Sequence, residues 1–499
     1  MVQRVSDADP EKKVQEDVFS TLLGNFGKWQ LIIFLSVCLI KLSSGWVQMA
    51  ILFLTPKIVF WCEEFNTNDT NFDSVSRIIV SNGTCYEDCI KYGYDPEPFQ
   101  NTIISEWDLV CEKSWMAGFT QMVLQFGVLT GSIVFGFLSD RYGRKNTFLT
   151  SIAGLISFGF CVPYSPNYII FTVIKFFLGF SVAGTMVISF VIVMESVGPK
   201  YREAFGCVFH IPFILGHLTV PLFAYYFRTW NQYCLSLAIP QLIYLSYFVI
   251  MTESPRWLVS VGRVDEATTI MKKAAKMNNM PTDKVEETLK KFSHELMTRE
   301  GPKVNYSDLF RPSMRVKTVC CCLVWFITGT TFYGVNQYIS QTSSNAFVSV
   351  SAAAAVQIPS NFFAIFCVRQ LGRKTTTIAA FALGGLCILT LGVVGDDFWT
   401  VFTLGTLGVS FIAIDAATIY IYSSELYPTV VRNMGMGICS MSMRFGSMLA
   451  PFISNLSVTI PWLPTVIFGF APLIGAAVCL LLPETKGKKL PDSFEDIST

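Results

Sequence analysis

The sequence predicts an all-α membrane protein with twelve transmembrane helices in two six-helix halves. Two observations support this fold: the apolar content, and a set of charged motifs that occurs twice along the chain. Of the 499 residues, 52% are apolar and 15% are charged, whereas an average soluble domain has about 25% charged residues. Twelve spans of about 20 residues would use roughly 240 apolar positions. This composition supplies them.

The same composition excludes several function classes. The net charge of +1 argues against nucleic-acid binding, which normally needs a basic face. Three histidines leave little room for histidine-based metal or triad chemistry. The Walker A, GxGxxG and HExxH patterns are absent. We therefore expect no enzymatic activity, no cofactor, no metal site and no obligate protein partner in a chain surrounded by lipid.

Twelve apolar runs have the length of membrane-spanning helices. They are Trp29–Leu54, Ser114–Leu138, Thr147–Pro163, Tyr168–Met194, Ala204–Tyr226, Tyr233–Met251, Val316–Ile339, Phe347–Val368, Thr375–Val394, Trp399–Tyr422, Met434–Ser457 and Val466–Leu482. The first run is too long for a signal peptide and lacks a cleavage signature, so we interpret it as a retained helix.

Basic residues in the short loops predict the orientation. Lys and Arg follow the even-numbered spans, as at Arg144, Arg373 and Lys488, and are nearly missing from the opposite short loops, where Arg228 is the main exception. Basic loops face the cytosol, so both termini should be cytosolic, and we expect the membrane to be the plasma membrane. The predicted organisation is a cytosolic N-terminus (1–28), a six-helix half (29–252), a cytosolic loop (253–314), a second six-helix half (315–483) and a cytosolic tail (484–499).

Two long loops interrupt the spans. Residues 55–113 should lie outside; they contain four cysteines and two N-glycosylation sequons, namely Cys62, Cys85, Cys89, Cys111, Asn68 and Asn82. These features predict a small disulfide-bonded ectodomain, although sequence alone leaves three pairings open. In the cytosolic loop, Asp265–Lys276 and Lys284–Met297 are charged stretches with apolar residues at helical spacing, which predicts short amphipathic helices covering the cytosolic face.

Charged motifs repeat at a nearly constant offset. Gly143 and Gly372 are separated by 372 − 143 = 229 residues, Glu195 and Glu425 by 425 − 195 = 230, and Glu253 and Glu484 by 484 − 253 = 231. Three pairs at almost one spacing indicate a six-plus-six parallel repeat, which is the layout of the major facilitator fold.

The repeated motifs also predict gating residues. The glycines permit a tight turn between consecutive helices, and Asp140 can lie against the positive end of a neighbouring helix. Arginines and glutamates of the motifs can form ion pairs that hold the two halves together when the outside is open, and breaking them would let the halves rock. The gating candidates are Asp140, Arg144, Glu195, Arg202, Arg373, Glu425 and Arg432. The alternative is that these residues only satisfy the bias toward basic cytosolic loops.

Four segments carry a family resemblance: Glu106–Cys111 (EWDLVC), Leu138–Lys145 (LSDRYGRK), Thr252–Leu258 (TESPRWL) and Glu425–Gly437 (ELYPTVVRNMGMG). Through them the chain resembles the organic cation/anion/carnitine transporter family, solute carrier family 22. The match runs from about residue 55 to Pro491. The resemblance implies transport of small amphiphilic organic ions by alternating access. A sugar porter of the same fold and a non-transporting membrane sensor are the alternatives.

Charged residues inside spans are the first candidates for the substrate site, because a charge in lipid is costly. They are Lys41, Lys175, Asp415 and Arg444. By the family resemblance, Arg444 occupies a position where anion-transporting members have Arg and cation-transporting members have Asp. Asp415 is interpreted as a cavity charge or as a counter-ion of Arg444 or Lys41. A nearly balanced cavity would suit a zwitterion or an anion better than a simple cation.

Aromatic and amide side chains complete the candidate site. The family resemblance places Tyr333 and Phe213 on the cavity wall, where rings hold ammonium groups or flat solutes. It also implies Lys at two positions where this chain has Asn361 and Val409. Gln337 is a candidate polar contact, because an amide facing lipid would be costly.

We predict that Asn68 and Asn82 are glycosylated and that the sequons at Asn305 and Asn455 are not, because only the first two lie in the loop that the charge rule places outside. Glycosidase should shift the wild-type band on a gel and leave the band of an Asn68→Gln, Asn82→Gln double variant unmoved. A residual shift in the double variant would contradict the predicted topology.

Overall fold

The protein is described from a computed structural model. The described residues are 18–24, 26–65, 85, 89–198, 201, 205, 208–298, 305–342, 345–394, 398–428, 430–458, 460 and 462–487. The sequon residues Asn68 and Asn82 and the gating candidate Arg202 lie outside this set, so those predictions stay predictions.

The described chain is helical apart from one small hairpin. Its first part contains α1 (Val18–Leu23), α2 (Lys28–Met49), α3 (Ile51–Leu54), β1 (Phe60–Phe65), β2 (Cys89–Tyr94), α4 (Ile103–Glu106), α5 (Ser114–Tyr142), α6 (Arg144–Cys161), α7 (Tyr168–Ser196), α8 (Ile211–Tyr226), α9 (Trp230–Ala238) and α10 (Tyr247–Ile250). The remainder contains α11 (Pro255–Ser260), α12 (Val264–Met277), α13 (Val285–Thr298), α14 (Arg315–Thr342), α15 (Ala346–Leu371), α16 (Arg373–Val394), α17 (Phe398–Leu426), α18 (Arg432–Asn455) and α19 (Leu463–Leu480).

All twelve predicted spans correspond to helical segments, but two of them are unusual. Ten segments are long and apolar enough to cross a membrane by length and composition. The other two are α8, which has 16 residues, and α18, which carries Arg444 among several serines. Span six consists of α9 and α10 joined by a 3₁₀ segment, Ile239–Ser246. Pro240 is the second residue of that segment, and proline removes a helical N–H donor.

Helix packing repeats between the halves. In the first half α2 packs on α8 and α5 on α7, and in the second half α14 packs on α18 and α15 on α17. Glycines allow these contacts: a Cβ on Gly216 would lie 2.2 Å from the Leu42 carbonyl oxygen, and one on Gly446 would lie 2.1 Å from that of Phe326. The halves meet where α5 packs on α18 and α8 on α15. The close helix packing agrees with the use of small residues between membrane helices.

One end of the helix bundle, called the disulfide end, carries the first long loop. Strands β1 and β2 pair antiparallel, from Phe60 opposite Tyr94 to Phe65 opposite Cys89. Disulfides join Cys62 to Cys89 and Cys85 to Cys111. The structure thus selects one of the three pairings that the sequence leaves open.

The opposite end, called the motif end, carries the repeated charged motifs and the second long loop. Both predicted loop helices are confirmed as α12 and α13. With α1 and α11 they form a small apolar cluster that includes Phe19, Trp257, Met271 and Leu289. Asn278 fixes this cluster to the first span. It accepts a hydrogen bond from the Trp29 backbone N–H (3.0 Å) and donates to the Leu23 carbonyl (2.9 Å) and the Gln30 side chain (2.7 Å).

Asn278→Ala should loosen this attachment, because it leaves three part-buried polar groups without a partner, at about 1–3 kcal/mol for each such group. We expect a lower thermal unfolding midpoint for the detergent-solubilised protein. Asn146→Ala, at an exposed position of α6, is the matched control. Equal midpoints for the two variants would show that Asn278 does not stabilise the cluster.

Candidate functional site

Three polar side chains meet between the two halves. The hydroxyl of Tyr333 on α14 donates to Oε1 of Gln48 on α2 at 2.5 Å. The Arg444 guanidinium on α18 donates from Nη1 to the Tyr333 hydroxyl at 3.2 Å and to Gln48 Oε1 at 3.4 Å. This set, called the central bridge, links a residue of the first half to two residues of the second.

The backbone and neighbouring amides hold the central bridge in place. The side chain of Gln121 on α5 donates to the Gln48 carbonyl at 3.3 Å, and Gln48 Nε2 lies 3.1 Å from the Met186 sulfur. A Cβ on Gly329 would lie 2.1 Å from the Met443 carbonyl oxygen, so α14 and α18 are in backbone contact there. This contact brings Tyr333 beside Arg444.

A second cation lies near the central bridge. Lys41 is on α2, seven residues before Gln48, and is 4% exposed. Its ammonium group is 4.5 Å from the centroid of the Phe209 ring, and it is close enough to Arg444 to be repelled by it. Within the described part of the chain, neither Lys41 nor Arg444 forms an ion pair with a carboxylate. The site therefore holds two basic side chains, one from each half.

Asp415 does not supply the missing negative charge. It is fully buried on α17, accepts a 2.7 Å hydrogen bond from the Thr328 hydroxyl, and its other oxygen has no partner among the described residues. Neither ion pair that the sequence allows, with Arg444 or with Lys41, forms in this conformation. In this conformation Asp415 is bonded to Thr328 and not to either basic side chain, so the expected charge balance of the site stays a prediction.

The remaining candidates occupy varied surroundings. Gln337 is buried one turn from Tyr333 on α14. Phe213 is half-buried on α8, where its carbonyl oxygen lies 2.4 Å from a Cβ placed on Gly45. Asn361 donates to the Gln357 carbonyl of its own helix at 2.7 Å, which satisfies its amide locally. Only Tyr333 and Arg444 of the predicted site residues are therefore joined directly by a hydrogen bond.

Sequence reasoning missed several polar residues near the centre. Gln48 is the most important, since it is the first-half member of the central bridge. His217 on α8 faces Gln357 on α15, with their nitrogens 3.4 Å apart across the halves, and the His210 ring lies 5.5 Å from that of Tyr420. The available signal was an amide or imidazole inside an apolar run, which costs free energy if it faces lipid.

At the motif end the arginines and glutamates of the repeated motifs form ion pairs, as the sequence predicts. Arg144 binds Glu195 at 2.9 Å and Asp140 at 2.8 Å, and Arg373 binds Glu425 at 2.8 Å. Each of these pairs joins helices of the same half. The expected clamp between the halves is therefore not formed by them in this conformation, and their role in gating stays a prediction. Arg432 donates to the Tyr427 carbonyl at 3.3 Å.

Glutamates at the ends of spans six and twelve cap the following motif. Glu253 accepts hydrogen bonds from the backbone N–H groups of Arg144 and Lys145 at 2.8 and 3.0 Å. It thus occupies the position at a helix N-terminus that the sequence analysis predicted for Asp140. Glu484 accepts equally from Arg373 and Lys374, at 3.0 and 3.1 Å. Partial burial raises the pKa of Glu484, but hydrogen bonds from backbone N–H groups, including those of Lys486, Arg373 and Thr485, outweigh it and hold the pKa below its usual value.

The turns before these helices require glycine. Gly143 has φ 97° and Gly372 has φ 98°, a backbone region that favours glycine. A Cβ would also lie 2.3 Å from a Glu253 oxygen at the first turn and 2.7 Å from a Glu484 oxygen at the second. The predicted tight turns are thus confirmed, and the carboxylates explain their close fit.

Comparisons with known proteins agree with this architecture. Residues 33–496 match the profile of the family described as sugar (and other) transporter. The organic cation transporter protein of Drosophila melanogaster is 31% identical, with 95% of this chain and 93% of that protein covered. Human organic cation/carnitine transporter 2 is 32% identical, with 82% and 74% covered. The chain belongs to solute carrier family 22. The predicted family is confirmed, and the protein is an integral membrane protein of a transporter family.

A solved structure supports the fold of this solute carrier family 22 member. The inward-open xylose transporter of E. coli superposes with a TM-score of 0.67 at 16% identity, covering 94% of this chain and 99% of that one. At this identity the likeness shows the fold alone. The major facilitator fold predicted from the repeat is confirmed.

Glu425→Gln should slow transport several-fold more than it lowers the amount of protein at the cell surface. The change weakens the contact with Arg373 that holds two helices of the second half together while that half tilts, and a hydrogen bond to a charged group contributes about 1.5–3 kcal/mol. The measurement is tracer uptake divided by surface-biotinylated protein. Glu287→Gln, which alters an exposed ion pair with Lys291, is the control and should leave uptake unchanged. Normal turnover of the Glu425 variant at a normal surface level would remove the gating role.

Proposed function

We propose that this solute carrier family 22 member carries amphiphilic organic ions across the plasma membrane by alternating access, and that it favours anions or zwitterions over simple cations. The observation that supports this most directly is the pair of basic side chains, Arg444 and Lys41, at the boundary between the halves. Neither has a carboxylate partner within the described residues.

The chemistry of the site favours a carboxylate-bearing solute. A guanidinium presents several N–H donors in one plane and binds carboxylates bidentately. In a site shielded from water the attraction is stronger than in solution. Among the described residues, Arg444 donates to the neutral oxygens of Tyr333 and Gln48. An anionic group in their place would form stronger hydrogen bonds with the guanidinium. The rings of Tyr333, Phe209 and Tyr420 offer apolar surface for the rest of an amphiphilic molecule.

The same contacts support a mechanism by alternating access. The central bridge joins the two halves, so a solute that displaces Gln48 from Arg444 changes the interaction between them. At the motif end the arginines and glutamates of each half pair within that half, so each half keeps its internal structure while it tilts. Rigid halves that rock around a central site are the basis of this transport mechanism.

The disulfides support the proposed orientation. Disulfides such as Cys62–Cys89 and Cys85–Cys111 form and persist in oxidising compartments, which supports an extracellular position for the disulfide end. The basic motif end then faces the cytosol, in agreement with the loop charges, and both termini with it.

A sugar porter of the same fold is the second candidate. A neutral polyol would offer hydroxyl groups to Gln48, Gln337 and Gln121, but it would leave the charge of Arg444 without compensation. A non-transporting sensor is the third candidate, and flux into reconstituted vesicles separates it from both transporters.

Exchanging Arg444 for Asp should reduce uptake of an anion and of a zwitterion at least tenfold and leave uptake of a simple cation unchanged or raised. The physical reason is that the site loses a guanidinium and gains a carboxylate in a region of low dielectric. The measurement is an uptake panel with one solute of each charge class, in cells with matched surface expression. Arg141→Asp, an exposed charge reversal at the motif end, is the control.

Two other outcomes have distinct meanings. If Arg444 pairs with Asp415 in another conformation, Arg444→Asp abolishes uptake of every class, and adding Asp415→Arg restores part of it. If the single variant keeps wild-type uptake of every class, Arg444 is not in the transport path and the proposed charge preference is wrong.

A further inference from the structure

One phenylalanine of the second half lies in a ring of first-half side chains at the disulfide end. Phe347, in the first turn of α15, stacks on Phe53 with centroids 5.3 Å apart and planes 19° from parallel. It is 5.4 Å from the Phe99 ring and meets Tyr225 edge-on at 5.7 Å. The Arg228 guanidinium lies 5.0 Å from the centre of the Phe347 ring. These four first-half residues are called the aromatic socket.

The aromatic socket is tied to the disulfide-bonded loop. The Arg228 side chain donates to the carbonyls of Pro98 and Tyr225, both at 2.6 Å. The Arg228 carbonyl accepts from the Gln100 N–H at 3.1 Å, and Trp230 N–H donates to the Asn101 carbonyl at 2.9 Å. The loop segment that supplies Phe99 lies between Cys89 and Cys111, each of which is in a disulfide. The socket therefore belongs to the first half and its loop.

The opposing residue is positioned by its own helix. The side chain of Asn345 caps α15 by accepting from the Val348 N–H at 3.2 Å, which fixes the first turn from which Phe347 projects. Nearby, the side chain of Gln341 on α14 donates to the Thr55 carbonyl at 3.5 Å. Among the described residues, the two halves are thus joined at the disulfide end by one ring inserted among four side chains, with the Gln341 contact beside it.

We propose that Phe347 is the closing residue of a gate at the disulfide end. Seated in the aromatic socket, the ring blocks access to the central bridge from that side; when the halves tilt, it leaves the socket and the path opens. This rests on the alternating-access part of the proposed function. Aromatic and cation–π contacts are individually modest, so the closed state is stable yet reversible, as a two-state gate requires.

The expected effect of Phe347→Ala is a shift toward the state that is open at the disulfide end. The readout is the modification rate of a cysteine placed at Gln48 by a membrane-impermeant thiol reagent, applied from the disulfide-end side. All variants carry Cys161→Ser, because Cys161 is exposed. We expect Phe347→Ala to raise this rate about tenfold, the order expected for losing several ring contacts. Phe347→Tyr keeps the ring and should retain the low rate.

The matched control is Phe363→Ala on the same helix, where an exposed ring stacks on Phe366. It should leave the modification rate at the parent value. In the background that retains Gln48, Phe347→Ala should also lower both the maximal uptake rate and the half-saturating solute concentration measured from the disulfide-end side, a combination that simple loss of folded protein does not give.

An unchanged modification rate in Phe347→Ala, or an equal rise in Phe363→Ala, would overturn the gate. Because the modification assay needs no transported solute, its failure is distinct from failure of the proposed function. Loss of the charge preference of Arg444 with a normal Phe347 response would leave the gate standing and remove only the substrate proposal.

Discussion

A charged side chain within a membrane-spanning helix needs an interior polar partner, because lipid offers none. Arg444 meets this requirement through Tyr333 and Gln48, and much of the described arrangement follows from that contact. The contact is possible because α14 and α18 approach each other until their backbones touch at Gly329 and Gly446. It also places the polar contact at the boundary between the halves, where a transported solute can compete for it.

The repeated motifs have a structural role that is visible in both halves. A glutamate at the end of the sixth helix of each half caps the N-terminus of the third, across a glycine turn, while an arginine there binds a glutamate from the fourth. The negative carboxylate compensates the positive end of the helix. The motif residues of each half therefore form a closed network within that half, and movement between the halves does not have to break it.

The sequence predicted the features that depend on composition and spacing. Span positions, the two loop helices and the repeat followed from apolar runs and offsets, and the glycine turns from residue type. The sequence did not predict which side chains meet, because that depends on the rotation of each helix about its axis. Asp415 and Arg444 are both charged and both inside spans, yet only a three-dimensional structure tells which face each occupies. The partner of Tyr333, namely Gln48, is 285 residues away along the chain, and no local pattern encodes such a contact. The pairing of the four loop cysteines depends in the same way on the folded hairpin.

The closed motif network of the first half has a consequence for biosynthesis. Its members Gly143, Arg144, Glu195 and Glu253 all precede the second half in the sequence. Arg256 and Trp257, which also bond to this end of the half, follow directly, so the first six helices can complete their packing during translation, while the rest of the chain is still being made. Domains emerging first generally fold first. The newly inserted half then offers α5 and α8 as a finished template against which the second half assembles.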